Sequence, residues 1–582
     1  MNLAQDGQAR VKQPVWFGLI VVLVGFALVN ARWLYLYRVG QVYDIDEAGY
    51  LTYALDDFRA LLSGGIAGWF WQIEAPSYQA PFTTLLTSLV FTITGPSPSF
   101  GFVTTGVAGL ATIIIGFRIG QTVGGNRVGM ISAVLIACNP AVLNAVRTYN
   151  FAMLTTAVMS LAVLALLRSD GFRRVGWSLV FGVAIGLLPL TRTVTIAFLP
   201  ALGVAALLLA LLSKEPRSSL LRLILVGFIA LTVMATWLVP DGRYVANYLL
   251  EFGYGSRSVV YNPGIGPTLA DQFVYMLQYL AAYTYLPSFL FMLLGLALDI
   301  AVLAVSLATV RGRVEDATWH QRLAILIIAL GGLGALMTSQ NKGAAFATPL
   351  IPLLLVLATC GFMHSRRYRL GSAIAYLAAA AAAVWPAATM VDLAARVAWP
   401  HMMTVPVLGT MTVSNGIGPI QGYETSAGYT SATPTMPVSA GDGKRWLEAL
   451  WLTALTAADS GGDHALTAFG ARGYLFNTNE VNFVWMFGGH RFLPMVQATP
   501  EILGDNADAY QAFLTSGEGA TACLLITATG TLGEIRPSIT PAYMVEAAQR
   551  TGFEPGPRWP LPDGREATLW SRQHAAAPCP VR

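Results

Sequence analysis

Apolar residues run along the chain in blocks of roughly twenty, parted by short polar or basic stretches. A helix that crosses a bilayer core needs about 20 mostly apolar residues. The first block, Val15 to about Leu36, follows Arg10 and Lys12. That basic flank suits a signal peptide, but no small-residue cleavage site follows and more blocks do, so the block reads as an anchor. Further blocks fall near 99–117, 128–145, 149–167, 175–190, 194–213, 221–239, 285–310, 323–339, 346–364 and 371–395. The pattern predicts a polytopic α-helical membrane protein with about 11 transmembrane helices.

Lys and Arg in the short loops set the orientation. Arg118 and Arg127 bracket one loop. Arg168, Arg173 and Arg174 mark the next, followed by Lys214, Arg217 and Arg222, then Arg311, Arg313 and Arg322, then Arg366, Arg367 and Arg369. With eleven spans all of them share the side of the N-terminus. A cytoplasmic N-terminus and an extracytoplasmic C-terminal part are predicted. Residues 79–94 are apolar but too short to span, and are expected to lie in the interface or re-enter it. In 49–62, Tyr50, Leu51, Ala54, Leu55, Phe58, Leu61 and Leu62 share one helical face, with Asp56, Asp57 and Arg59 opposite, so a second interfacial helix is expected. Residues 240–283 form a further outer loop, in which 268–282 is amphipathic.

After about residue 397 the character changes. Residues 397–442, rich in Gly, Ser, Thr and Pro, read as a linker or irregular outer segment. Residues 443–582 mix helical runs (WLEALWLTALTAA, DAYQAFLTSG) with strand-like ones (ACLLITA, ATLWSR), which predicts a small extracytoplasmic α/β domain. The preceding 1–396 form the transmembrane domain.

Composition agrees. Of 582 residues 55% are hydrophobic and 11% charged, against about 25% charged in soluble domains. A net charge of +4 from dispersed basic residues reflects membrane topology, and no nucleic-acid partner is indicated. Cys138 and Cys360 lie in apolar runs as packing residues. Cys523 and Cys579 can pair if their part is extracytoplasmic; two separate thiols are the alternative. The six His residues are scattered without ligand spacing. The Gly, Ala, Val and Arg bias points to a high-GC bacterium such as an actinobacterium. Asp299 stands in the run 285–310 with no evident partner, and a buried structural hydrogen bond is expected of it.

Candidate chemistry centres on YDIDEAGY, residues 43–50, directly after the first block. Asp44, Asp46 and Glu47 place three carboxylates within four positions. Such a group can take a proton from a hydroxyl or hold a divalent cation; a solvated acidic turn is the plain alternative. Arg147, Arg192 and Lys342 fall at outer span ends, where they can meet phosphate oxygens or merely anchor headgroups. Tyr50, Asn247, Arg243, Arg257 and His401 are weaker candidates.

DEAGY after the first span resembles the first-loop motif of the C-type (GT-C) glycosyltransferase superfamily, in particular protein O-mannosyltransferases and the enzymes that add aminoarabinose to lipid A. Gln79-Ala80-Pro81, RTYNFAM at 147–153, GLLPLTR at 186–192, RYVANYLLEFGYG at 243–255 and SQNKGAAFATPLIP around Lys342 are similar to family elements in the same order. The likeness covers roughly 15–350. It implies that Asp46 is the catalytic carboxylate and that Arg192 faces the donor phosphate. The aminoarabinose branch has Glu-Lys-Pro where this chain has Gln79-Ala80-Pro81, so an acidic residue is missing there, with Glu74 five positions earlier. The Trp-Trp-Asp motif of oligosaccharyltransferases is absent.

The resemblance implies an inverting transfer from a polyprenyl-phosphate sugar to a hydroxyl of a lipid, glycan or protein acceptor at the outer face of the cell membrane. Asp46 would take the hydroxyl proton as that oxygen attacks the anomeric carbon, and basic residues would steady the departing phosphate. Ca²⁺ or Mg²⁺ could sit among Asp44, Asp46 and Glu47, but phosphate held by Arg lessens the need, and no required metal or other cofactor is expected. A transporter or lipid-translocating protein would need ionisable residues and helix breaks deep in several spans. A glycan-binding, non-catalytic member of the fold would keep its function without Asp46.

Overall fold

The computed structural model describes residues 12–572 apart from 41, 44, 75–78, 256, 259–264, 267, 309–317, 343–344, 365–368, 391–401, 406–408, 413–439, 462–464, 474 and 531–536. In chain order the helices of the first two thirds are α1 (Lys12–Tyr37), α2 (Ile45–Glu74), α3 (Phe82–Thr94), α4 (Pro98–Cys138), α5 (Pro140–Arg147), α6 (Ala152–Arg168) and α7 (Val175–Thr191). They continue as α8 (Leu199–Leu211), α9 (Pro216–Gly253), α10 (Leu269–Thr284), α11 (Leu286–Ala308), α12 (Trp319–Thr338), α13 (Ile351–His364) and α14 (Arg369–Met390). Two compact units result. One comprises Met1–Leu34, Phe70–Thr83 and Phe102–Gly428; the other comprises Tyr35–Trp69, Thr84–Gly101 and Tyr429–Arg582. Residues 35–69 and 84–101, close to the first apolar block, thus group with the C-terminal part.

The first unit is a helical assembly. Among the described residues the expected apolar runs are mainly helical, because lipid offers a backbone no hydrogen-bond partner and helices satisfy theirs internally. Among the described residues, six helices are long and apolar enough to cross a membrane; Ala152–Arg168, Val175–Thr191 and Thr348–His364 are shorter apolar helices. The chain is a multi-pass membrane protein.

Several local expectations change. The loop expected between Arg118 and Arg127 is mostly helix, since α4 runs through it and breaks only at Gly125, whose φ is 83°. The run 128–145 is divided where Asn139 caps α5, its side chain accepting from Ala141 N, and Pro140 follows. The outer loop expected from 240 opens as a continuation of α9, which carries Pro240 inside it. Thr268 and Asp271 form a capping box that starts α10. Part of the expected linker is ordered as an antiparallel hairpin of β1 (Met402–Val405) and β2 (Gly409–Thr412).

Small residues let the helices approach. A Cβ at Gly186 would come within 2.7 Å of the Ala230 carbonyl, and one at Gly182 within 3.0 Å of the Val226 carbonyl. Their spacing of four puts both on the α7 face that meets α9, the small-xxx-small device of membrane helices. Asp299 on α11 is not alone: Arg322 on α12 pairs with it, and both side chains are fully buried. Arg322, expected in a basic loop, therefore lies inside the helical assembly, where His364 Nε2 is 3.5 Å from its guanidinium.

The second unit carries an α/β fold. Its C-terminal part adds α15 (Ala440–Gly461), α16 (Thr478–Phe487), α17 (Pro500–Leu503), α18 (Ala507–Thr515) and α19 (Pro541–Arg550). The strands are β3 (Thr467–Phe469), β4 (Met495–Gln497), β5 (Leu524–Ala528), β6 (Glu554–Pro560) and β7 (Glu566–Ser571), in the order β4-β3-β5-β7-β6. β3 runs parallel to β4 and β5, whereas β7 is antiparallel to β5 and β6. Every residue of β5 is buried, as a central strand covered on both faces requires. Tyr510, Phe513, Leu514, Leu525, Met544 and Trp570 fill the core. Cys523 is disulfide-bonded; Cys579 lies outside the described residues. Cys138 and Cys360 are free thiols.

Removing one member of a buried ion pair leaves the other charge uncompensated, a loss of about 3–5 kcal/mol. Arg322→Ala should therefore lower the thermal midpoint of the purified protein in micelles, and Asp299→Leu combined with Arg322→Met should restore most of it. A double variant as unstable as the single one would show that the pair is not the cause.

Candidate functional site

The acidic turn lies in the second unit. Asp46 and Glu47 occupy the first turn of α2, where the positive end of the helix favours carboxylates. Their environments differ. Glu47 is 1% exposed and pairs with the Arg38 guanidinium, itself buried. Arg38 also lies over the Tyr43 ring, 5.1 Å from its centroid. The Glu47 charge is matched by Arg38. Asp46, one position earlier, is exposed. Tyr50 is half-buried one turn on. Asp44, His401 and the Glu74 side chain lie outside the described residues. Among the described residues no group of three His, Cys, Asp or Glu is placed to hold a metal ion.

Further along α2 the expected polar face is not all solvated. Asp57 is 7% exposed, and Thr84 on α3 hydrogen-bonds its carboxyl; burial pushes it up to about 7. Burial lifts Asp56 to about 6 against the opposing pull of Arg59. At 13 residues α3 is about 20 Å long, short of the roughly 30 Å apolar core.

The basic candidates lie in the first unit and play different parts. Arg192 is the C-cap of α7 and starts the 3-10 turn Thr193–Phe198. It is half-buried, with its guanidinium 4.5 Å from the centre of the Phe346 ring. Phe346 also lines a small open cleft with Tyr275, Tyr279, Asn341 and Lys342. Tyr275, Tyr279 and Tyr283 stack along α10, with centroids 6.3 and 5.4 Å apart. Burial pushes the Tyr275 and Tyr283 phenols up to about 12, so they remain hydrogen-bond donors. No family motif marks these tyrosines; only their spacing of four shows in the sequence.

Lys342 caps the end of α12: its ammonium donates to the carbonyls of Leu336 at 3.0 Å, Met337 at 3.3 Å and Ser339 at 2.6 Å. Burial pushes it down to about 8. An ammonium has three donors, and these carbonyls take them, so Lys342 caps the helix here while lining the cleft. Arg147 is also engaged within the protein. It is 2% exposed, donates to Asn30 at 2.8 Å and lies over the Trp33 ring, which ties α5 to α1. Gln79 is half-buried, and Asn247 is exposed on α9.

The dolichyl-phosphate-mannose-protein mannosyltransferase family matches residues 78–239. No curated protein sequence matches the chain. Among solved structures the chain is similar to ArnT from Cupriavidus metallidurans, in the apo state and bound to undecaprenyl phosphate, at 15% identity and a TM-score of 0.55 over 95% of this chain and 98% of that one. It is similar to the oligosaccharyltransferase AglB from Archaeoglobus fulgidus, in complex with an inhibitory peptide and a dolichol-phosphate, at 13% identity and a TM-score of 0.51 over 87% and 69%. Arabinofuranosyltransferase AftD from Mycobacteria matches at 13% and 0.51 over 96% and 40%. The chain thus shares the fold of these solved structures, and residues 78–239 match the mannosyltransferase family.

Asp57 yields a pH prediction. Its folded value of about 7 exceeds the ordinary 3.8, so the folded state binds the proton more tightly. The resulting stability is complete below about pH 4 and is lost as pH rises through 7. Asp57→Asn, neutral at every pH, should reduce the loss between pH 5 and pH 8 by roughly 1–3 kcal/mol. Thermal unfolding in micelles at the two pH values checks this; an equal loss in both proteins would place the titration elsewhere.

Proposed function

We propose that this protein is an inverting glycosyltransferase that moves a sugar from a polyprenyl-phosphate carrier to a hydroxyl of a cell-envelope lipid, glycan or protein acceptor, at the outer face of the membrane. The observation that carries the reading is the contrast between neighbouring carboxylates: Glu47 is buried against Arg38, while Asp46 is exposed at a helix N-terminus. A base must reach the acceptor proton, and Asp46 meets that requirement. The family match over residues 78–239 and the shared fold support the reaction class, and the undecaprenyl phosphate bound by the similar ArnT supports a lipid-phosphate donor.

Each role follows from ordinary chemistry. Asp46 accepts the proton of the acceptor hydroxyl as its oxygen forms a bond to the anomeric carbon. The bond from that carbon to the phosphate oxygen breaks on the opposite face, and the electron pair leaves with polyprenyl phosphate. Inversion follows from this single displacement. Arg192 offers a planar fork of donors to the phosphate oxygens. Its place on the Phe346 ring beside an aromatic-lined cleft suits a ligand that joins an anion to an apolar chain.

Purified protein is offered a panel of synthetic polyprenyl-phosphate sugars, and released polyprenyl phosphate is measured. One donor should turn over, and Asp46→Asn should slow it by about 10²–10⁴-fold while the protein stays folded. Undiminished turnover in that variant would remove Asp46 from the chemistry, and no turnover with any donor would defeat the reading. Arg192→Ala should lower kcat/KM by about 10²-fold, with Arg192→Lys between; an unchanged Arg192→Ala would exclude it as the phosphate ligand.

A further inference from the structure

The helix α16 of the C-terminal part is bonded at both ends to the segment that carries Asp46. At its start, Asn477 caps the helix by accepting from the backbone N–H of Asn479 and Glu480. The side chain of Asn479 then donates through Nδ2 to the Ile45 carbonyl at 2.8 Å. Ile45 is the residue before Asp46 and the first of α2. The same side chain lies against Gly49, where an added Cβ would sit 3.0 Å from Nδ2. Glycine in DEAGY thus fits the packing: a methyl group there would crowd the Asn479 amide, which would have to shift by a few tenths of an ångström.

At the other end, Arg59 of α2 donates to the carbonyls of Met486 at 3.0 Å and His490 at 2.9 Å. These close the last turn of α16, where a cation is favoured. Aromatic edges join the two ends. Tyr43 meets Phe483 at 5.1 Å between centroids, and Phe91 meets both Phe58, at 6.1 Å, and Phe487, at 6.3 Å.

We propose that α16 positions the catalytic turn, with Asn479 as the positioning residue that orients Asp46 through the Ile45 carbonyl. The proposal rests on the reading of Asp46 as the base. It gives the C-terminal domain a part in the transfer without a catalytic group of its own. Displacing a catalytic group by about 1 Å can cost up to a hundredfold, so the first turn of α2 must be held from outside.

The test uses the full-length protein in micelles, with the donor that turns over. Asn479→Ala and Gly49→Ala should each lower kcat about tenfold, with KM for the donor within about twofold of wild type. The double variant should be no slower than Asn479→Ala, because the added methyl group then has nothing to displace. A double variant slowed by the product of the two effects would overturn the coupling, and so would Asn479→Ala at full kcat. Amide hydrogen exchange supplies a readout that needs no activity. Residues 45–52 should exchange faster in Asn479→Ala while 507–550 stay unchanged. Equal exchange at 45–52 would overturn the proposal even if no donor turns over, a result that by itself defeats only the transferase reading.

Discussion

The buried pairing of Arg38 with Glu47 is the contact on which the candidate chemistry depends. A helix turns about 100° per residue, so neighbouring side chains face different ways. Once Glu47 is drawn into the protein by a guanidinium, Asp46 is turned outward. A buried carboxylate without a cation would be costly, and Arg38 removes that cost while sitting on the Tyr43 ring. The pair thereby gives two adjacent acids different surroundings, one buried against a cation and one exposed.

The same logic of charge in a poor solvent shapes the helical unit. Asp299 and Arg322 neutralise each other where neither would be tolerated alone. Arg147 is held by Asn30 and Trp33, and Lys342 by the carbonyls that end α12. Each cation is matched to a local acceptor that shares its burial. Arg192 lies half-buried at a helix end on the Phe346 ring beside a cleft, and it too donates to a carbonyl, that of Ala345 at 3.4 Å.

The C-terminal part shows how a soluble-type fold serves a membrane protein. Its sheet has a core of its own, and its helix α16 is joined to α2 by Asn479 and Arg59. Residues 35–69 and 84–101 thus share a compact unit with the sheet. These contacts bridge more than 400 positions of sequence, so no local pattern could announce them.

What the sequence determined by itself was local. Blocks of about twenty apolar residues leave the backbone no choice but helix in lipid, and the order of DEAGY, GLLPLTR and the elements after them carried the resemblance to the glycosyltransferase fold that the solved structures share. The short apolar run ACLLITA marked the strand β5. Asp46 and Arg192 were legible because a motif named them. Partnership was decided only by tertiary structure. Arg147, Lys342, Arg322 and Arg192 are all basic residues near the ends of apolar runs, and composition cannot tell which will meet Asn30, a row of carbonyls, Asp299 or an aromatic ring. The same holds for Glu47 against Asp46 and for Asp57 on a face that looked solvated. The physical reason is that a charge's role is set by its burial and its partner, and both come from residues far away in the chain.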